Sequence, residues 1–221
     1  MPTPTTTYTY MTTGDRTRVD TVTTAGISTE DYDYDAEGRV GTQTVMMTGR
    51  TAYPQAIDYI YDTLDRVTDV RYPAQYGMTG SPRKLVHYDY DVASRLTTLK
   101  VDGAIYASQI AYNPSSQMTS LKVGAATANQ ITESYSYQAQ TGLMTNQKVE
   151  RGTTTLTPLL DFSYDYLRVG TTAGRAGQLT RITNNLDSGR SRAYEYDALG
   201  RLKKATGGVP TLWTQSYVYD R

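Results

Sequence analysis

Apolar and polar positions alternate along this chain in short bursts rather than at helical spacing. The clearest burst is YEYDALGRL, beginning at Tyr194, with close copies at YDYDAEGRV from Tyr32, YIYDTLDRV from Tyr59 and YDYDVASRL from Tyr88, and a shortened YVYDR from Tyr217. In an extended chain, residues two apart share a face, so Tyr194 and Tyr196 project together while Glu195 turns to the other side. The acid that follows ends the strand. Asp197 can accept from backbone amides just ahead of it, and Gly200 can take positive φ, which suits a type I turn closed by a bulge. Gly38 stands in the same place after Asp35, whereas Asp65, Ser94 and Ser116 fill that slot in other copies, where the turn is expected to be more strained or differently built.

The return strand opens on arginine and an aliphatic residue: Arg39-Val40, Arg66-Val67, Arg95-Leu96 and Arg201-Leu202, with Gln117-Met118 and Gln178-Leu179 as variants. A second aliphatic residue follows three places on at Val70, Leu99, Leu121 and Ile182, a spacing that breaks strict alternation and implies a bulge or strong twist. The predicted unit is therefore a β-hairpin, and the threonine-rich stretches between motifs continue as strands joining one hairpin to the next.

Taking the second aromatic of each pair as anchor gives Tyr10, Tyr34, Tyr61, Tyr90, Tyr112, Tyr137, Tyr164, Tyr196 and Tyr219, with successive gaps of 22 to 32 residues. A period in the twenties marks an array of one supersecondary unit. Residues 1–7 read as a Thr/Pro-rich lead-in and 8–221 as about nine repeats, the last one cut short, so that it belongs to a longer protein or is completed by another subunit. The weakest copies are the first, at Met11, and the sixth, at Gln138. Stacked hairpins are expected to bring each tyrosine pair against its neighbour's, with about 0.2 to 1 kcal/mol from each favourable cross-strand pair.

Composition agrees with a half-wet sheet. Tyrosine supplies 21 of 221 residues against one Phe and one Trp, threonine supplies 37, and the mean hydropathy of −0.54 excludes a thick apolar core. Basic and acidic residues balance at 22 each, which gives no bulk reason to bind nucleic acid or anionic lipid. There is no cysteine, hence no disulfide or thiol chemistry, and no run approaches the ~20 apolar residues of a membrane-spanning helix.

The motif YDxxGRL at this period resembles the RHS or YD-repeat family of bacterial toxin shell proteins and animal teneurins, over essentially the whole chain. The resemblance implies an all-β array of consecutive β-hairpins forming a continuous, spiralling antiparallel sheet, part of a YD-repeat shell or barrel. It implies a structural scaffold outside a bacterial cell, partnered by further copies of itself or by flanking repeats, around a toxin cargo. The DPxG segment linked to self-cleavage in bacterial shells is missing, so cleavage is not carried over. The expected structural motif residues are Tyr32, Tyr34, Asp35, Gly38 and Arg39; Tyr59, Tyr61, Asp62 and Arg66; Tyr88, Tyr90, Asp91 and Arg95; and Tyr194, Tyr196, Asp197, Gly200 and Arg201.

Sharper chemistry finds little purchase. Asp31, Asp33 and Asp35 superficially match a calcium loop, but its sixth and twelfth positions hold Ala36 and Thr42 instead of Gly and Glu. His87 is the only histidine and has no cysteine or second histidine to share a metal, and a repeated turn acid is poor evidence for a unique catalytic one. No catalytic residue, metal site or cofactor is expected, and no enzyme. Each motif arginine is expected to pair with an aspartate of its own or the adjacent turn, or to lie over a tyrosine ring. Trp213 reads either as a packing cap or as a sugar platform. The alternative function is a carbohydrate-binding or adhesive module that presents its tyrosine rows to a glycan.

Overall fold

The computed structural model describes residues 3–74, 82–167 and 177–220. Seventeen β-strands and one short 3-10 turn (Ser188–Arg190) form among them, and every strand pairing is antiparallel. The chain divides into two compact units, residues 1–106 and 107–221.

In the first unit, β1 (Thr6–Tyr10), β2 (Val19–Thr24), β3 (Ser28–Tyr34), β4 (Val40–Met47), β5 (Gln55–Tyr61), β6 (Val67–Arg71), β7 (Leu85–Tyr90) and β8 (Leu96–Val101) each pair with the next in sequence. β9 (Ala104–Tyr112) begins in that unit and continues into the second. There its later residues pair with β10 (Met118–Val123), followed by β11 (Ile131–Tyr137), β12 (Met144–Arg151), β13 (Thr157–Tyr166), β14 (Leu179–Asn184), β15 (Arg192–Tyr196), β16 (Leu202–Gly207) and β17 (Trp213–Ser216), again each with the next.

Strands β1, β3, β5, β7, β11, β13 and β15 carry the tyrosine doublets, β9 carries Ile110 with Tyr112, Tyr217 and Tyr219 follow β17, and the even-numbered strands open on the aliphatic residue of the return. The register at each motif hairpin slips by one residue next to the second tyrosine: Tyr61 faces Val67, and Ile60 then faces Asp69, which leaves Thr68 as the extra residue of a bulge. Tyr59 faces Val70. Since Tyr59 and Tyr61 share a face, the bulge brings Val67 and Val70 onto it together. This explains the three-residue aliphatic spacing. Tyr88 and Tyr90 likewise face Leu99 and Leu96, Tyr194 and Tyr196 face Ala205 and Leu202, and Tyr10 and Tyr8 face Val19 and Val22.

Two expectations are corrected by this register. The doublets lie on alternate strands, so the residues directly opposite them are aliphatic or glutamine, and tyrosine does not pair with tyrosine across the ladder. In the seventh repeat the bulge falls between Asp165 and Tyr166, with Tyr166 opposite Leu179 and Tyr164 opposite Ile182, so the anchor is Tyr166 and the doublet is Tyr164 with Tyr166. Two overlapping aromatic pairs, FSYDY, made the earlier one look equivalent.

The core is thin. Among the described residues no side chain is wholly buried, and the buried apolar ones are Val70 in the first unit and Ala107, Ile110 and Ala205 in the second. Hydrogen bonds, ion pairs and ring contacts therefore carry much of what apolar burial carries in a thicker domain.

Candidate functional site

The candidate site is the row of corners where each tyrosine strand turns into its return strand. At the second motif Asp35 closes the turn in three ways. Its carbonyl accepts the Gly38 amide at 3.0 Å, its Oδ1 accepts the Arg39 amide at 2.8 Å, and its Oδ2 accepts Arg39 Nε at 2.7 Å. Gly38 sits at φ 85°. The corners at Asp62, Asp91 and Asp197 repeat the same set of bonds. Where glycine is missing the turn is unchanged: Asp65, Ser94 and Ser116 adopt φ of 60°, 61° and 60°. Left-handed backbone is costly for a residue with a Cβ, so these copies hold the strain that Gly38 and Gly200 avoid.

The carboxyls of these corners are held below their ordinary range. For Asp62 the chief cause is the Arg66 guanidinium, and for Asp91 and Asp197 it is the backbone amide of Arg95 and Arg201, followed by their side chains. At Asp35 burial pushes upward, but the amide and guanidinium of Arg39 outweigh it.

Each corner also grips the next one. Arg39 stacks over the Tyr61 ring at 4.5 Å from its centroid, while its Nη1 donates to Asp65 at 2.6 Å and to the Asp62 carbonyl at 3.3 Å. Arg66 does the same toward Tyr90, Ser94 and the Asp91 carbonyl, and Arg201 stacks over Tyr219 at 4.5 Å. An arginine thus meets its own aspartate, the following turn and the following ring at once, where sequence reasoning offered these partners as alternatives. The glutamine copies keep the reach without the charge: Gln117 and Gln178 donate to the Gly142 and Gly200 carbonyls, both at 2.7 Å.

In return, the second tyrosine of six doublets reaches back. Its hydroxyl donates to the carbonyl of the aliphatic residue that opens the previous return strand: Tyr34 to Val19, Tyr61 to Val40, Tyr90 to Val67, Tyr137 to Met118, Tyr196 to Leu179 and Tyr219 to Leu202, at 2.7 to 2.9 Å. Burial raises the Tyr61 and Tyr196 phenols, which therefore stay protonated as donors. The sequence gives no direct sign of this bond because its acceptor is backbone. The preference for Tyr over Phe at the anchor was its only trace.

Arg18 was missed as a motif member. Met11 donates to the Arg18 carbonyl as Asp35 does to that of Arg39, so the first corner is a longer loop ending on Arg18-Val19. Arg18 pairs with Asp15 at 3.3 Å, lies over Tyr34 at 5.4 Å and covers Gly38, where a Cβ would come within 1.8 Å of its Nη2. The corners Gln138–Leu143 and Leu167–Gln178 are lengthened in the same manner, with residues 168–176 lying outside the described ones.

Other singled-out residues have plain placements. First-position Tyr32 and Tyr135 donate to Glu30 (2.7 Å) and Glu133 on their own strands, and burial together with Glu133 pushes the Tyr135 phenol up to about 12. Asp31 and Asp33 lie on β3 while Asp35 is held by Arg39. His87 lies between Asp69 (2.8 Å from Nδ1) and Asp89 (3.0 Å from Nε2), the latter also bound to Lys100 at 2.9 Å. The Asp69 bond is the chief cause raising the His87 pKa, against an opposing contribution from burial. Trp213 packs on Gly207, where a Cβ would lie 2.0 Å from its Nε1.

The motif hairpin at YEYDALGRL falls within residues 175–209, which match the RHS repeat family model. That segment is an RHS repeat. A similar fold recurs in solved structures. The chain is similar to the complex TcdB2-TccC3-Cdc42 with a TM-score of 0.65 and 17% identity, over 86% of this chain and 10% of that one. It is similar to TcdB2-TccC3 at 0.61 and 17%, over 91% and 12%, and to a Photorhabdus luminescens Tc holotoxin pore with a mutated TccC3 at 0.66 and 16%, over 86% and 9%. It thus spans about a tenth of the length of the chains it matches. Comparison with curated protein sequences returns no match.

Proposed function

We propose that this chain is a wall segment of an RHS-type shell: a non-enzymatic scaffold whose corners lock hairpin to hairpin, enclosing a toxin cargo or extending by assembly with flanking repeats or further copies outside a bacterial cell. The observation that carries the reading is the paired lock at successive corners, arginine forward onto the next ring and tyrosine hydroxyl back onto the previous carbonyl. Such a lock joins identical units in series and needs no ligand. The likeness to TcdB2-TccC3 and to a Tc holotoxin supplies the biological setting.

The acids near the corners support a structural role, because Asp35, Asp62, Asp91 and Asp197 each have both carboxyl oxygens engaged by their own turn. The tyrosine rows likewise have six hydroxyls occupied by backbone carbonyls, which leaves them less to offer a glycan. Electron microscopy of the purified chain tests the assembly: extended arrays or curved strips are expected, and a compact, monodisperse monomer at every concentration overturns it.

A further inference from the structure

In the second unit, β14, β15 and β16 line a cleft, contributing Arg181 and Thr183, Arg192 and Ala193, and Thr206, of which Arg181, Thr183, Ala193 and Thr206 stand on the face opposite the tyrosines. One wall is the 3-10 turn at Ser188 and the other is the loop through Val209, Pro210 and Thr211. The walls are held in place: Gly208 donates to the Ser191 carbonyl at 2.8 Å, Leu212 to the Gly207 carbonyl at 2.7 Å, and the Ser188 hydroxyl to the Val209 carbonyl at 3.4 Å. The cleft holds about 470 Å³, within the range of small-molecule sites.

Its chemistry is unlike the corners. There every described motif arginine has an acid of its own, yet Arg181, which faces Asp165 across the ladder, forms no ion pair with it or with any other described residue. Ser191 lines the same cleft, is only 4% exposed, and its hydroxyl accepts the Asn184 amide at 3.0 Å while its own proton is given to no described acceptor. A guanidinium without an ion-pair partner, in a cleft that also holds Arg192, several hydroxyls, Val209 and Pro210, is complementary to a carboxylate carried on a polyhydroxylated ring. Guanidinium takes a carboxylate through two parallel bonds, and hydroxyls exchange donor and acceptor roles with a sugar's own.

We infer that this cleft binds a carboxylated sugar of one or two rings, with Arg181 engaging the carboxylate and Thr183, Ser191 and Thr206 engaging ring hydroxyls. The site is independent of the corner lattice. Calorimetric titration of the full chain with glucuronate, glucose and inorganic phosphate tests it. Saturable binding of glucuronate is expected, with glucose much weaker, and Arg181→Gln should lower the affinity at least about tenfold, the loss of a charge-assisted pair. Arg181→Lys, which keeps the charge but loses the fork, should fall between the two. The side chain is exposed, so both variants should retain the parent melting temperature. The inference is overturned by the absence of saturable glucuronate binding, by equal binding of glucose, by equal or tighter binding of phosphate, or by affinity unchanged in Arg181→Gln.

Discussion

Tyr59 and Tyr61 look equivalent in sequence and are not equivalent in bonding. Tyr61 donates to the Val40 carbonyl at 2.9 Å, whereas the Tyr59 hydroxyl has no partner among the described residues. Tyr61→Phe should therefore destabilise by about 1 kcal/mol, the net value of one such bond. Tyr59→Phe should stay within about 0.5 kcal/mol of the parent. Urea unfolding followed by circular dichroism distinguishes them, and equal effects would refute the back-bond as a stabilising contact. Ser94 offers a change of opposite sign. Its φ of 61° is free to glycine, so Ser94→Gly should gain about 0.5 kcal/mol even after losing its exposed 3.2 Å bond from Arg66. The turn chemistry at Asp35, Gly38 and Arg39 could be deduced from residue type because its bonds are local. The partners of the tyrosine hydroxyls could not, since a carbonyl one hairpin away leaves no mark on the string of letters.

At the scale of the hairpin, the three-residue spacing of Val67 and Val70 was the strongest clue to the bulge, and the register shows why: one extra residue, Thr68, rotates the return strand so that both valines meet the tyrosine face. The sequence reading failed where corners are long. Arg18 lies seven residues after Met11 rather than four, and a search for YDxxGRL passes over it. Direct tyrosine-to-tyrosine pairing was also a misreading, because it treated doublets as neighbours when a return strand separates them. The forward lock between hairpins can be measured by a double-mutant cycle on Arg66 and Tyr90, whose guanidinium lies 4.8 Å from the ring centroid. A coupling of about 0.5 to 1 kcal/mol is expected between Arg66→Met and Tyr90→Leu, and strict additivity would remove the stacking from the account.

For the protein as a whole, pH acts from two directions. His87 has its pKa raised above the ordinary 6.5 by Asp69, so protonation and folding favour each other there. Its contribution is fully present below that ordinary value and is lost as pH rises through the higher folded-state value. The corner aspartates behave oppositely. Their pKa values are lowered from 3.8, so their contribution is present above that value and disappears as pH falls through the folded-state ones. Stability of the chain should accordingly peak between these limits, in mildly acidic solution. His87→Gln should flatten the decline on the alkaline side, as thermal melts across a pH series would reveal, and should weaken the acid-side contribution of Asp89, whose carboxyl Lys100 and then His87 hold below its ordinary range.

The tyrosine back-bond ends on a main-chain oxygen, a group that every amino acid supplies. A newly arrived hairpin therefore need not recognise the side chains of the one before it, only the shape of its backbone. Bricks joined by so indifferent a mortar can be reordered, duplicated or borrowed, and the joint survives the exchange.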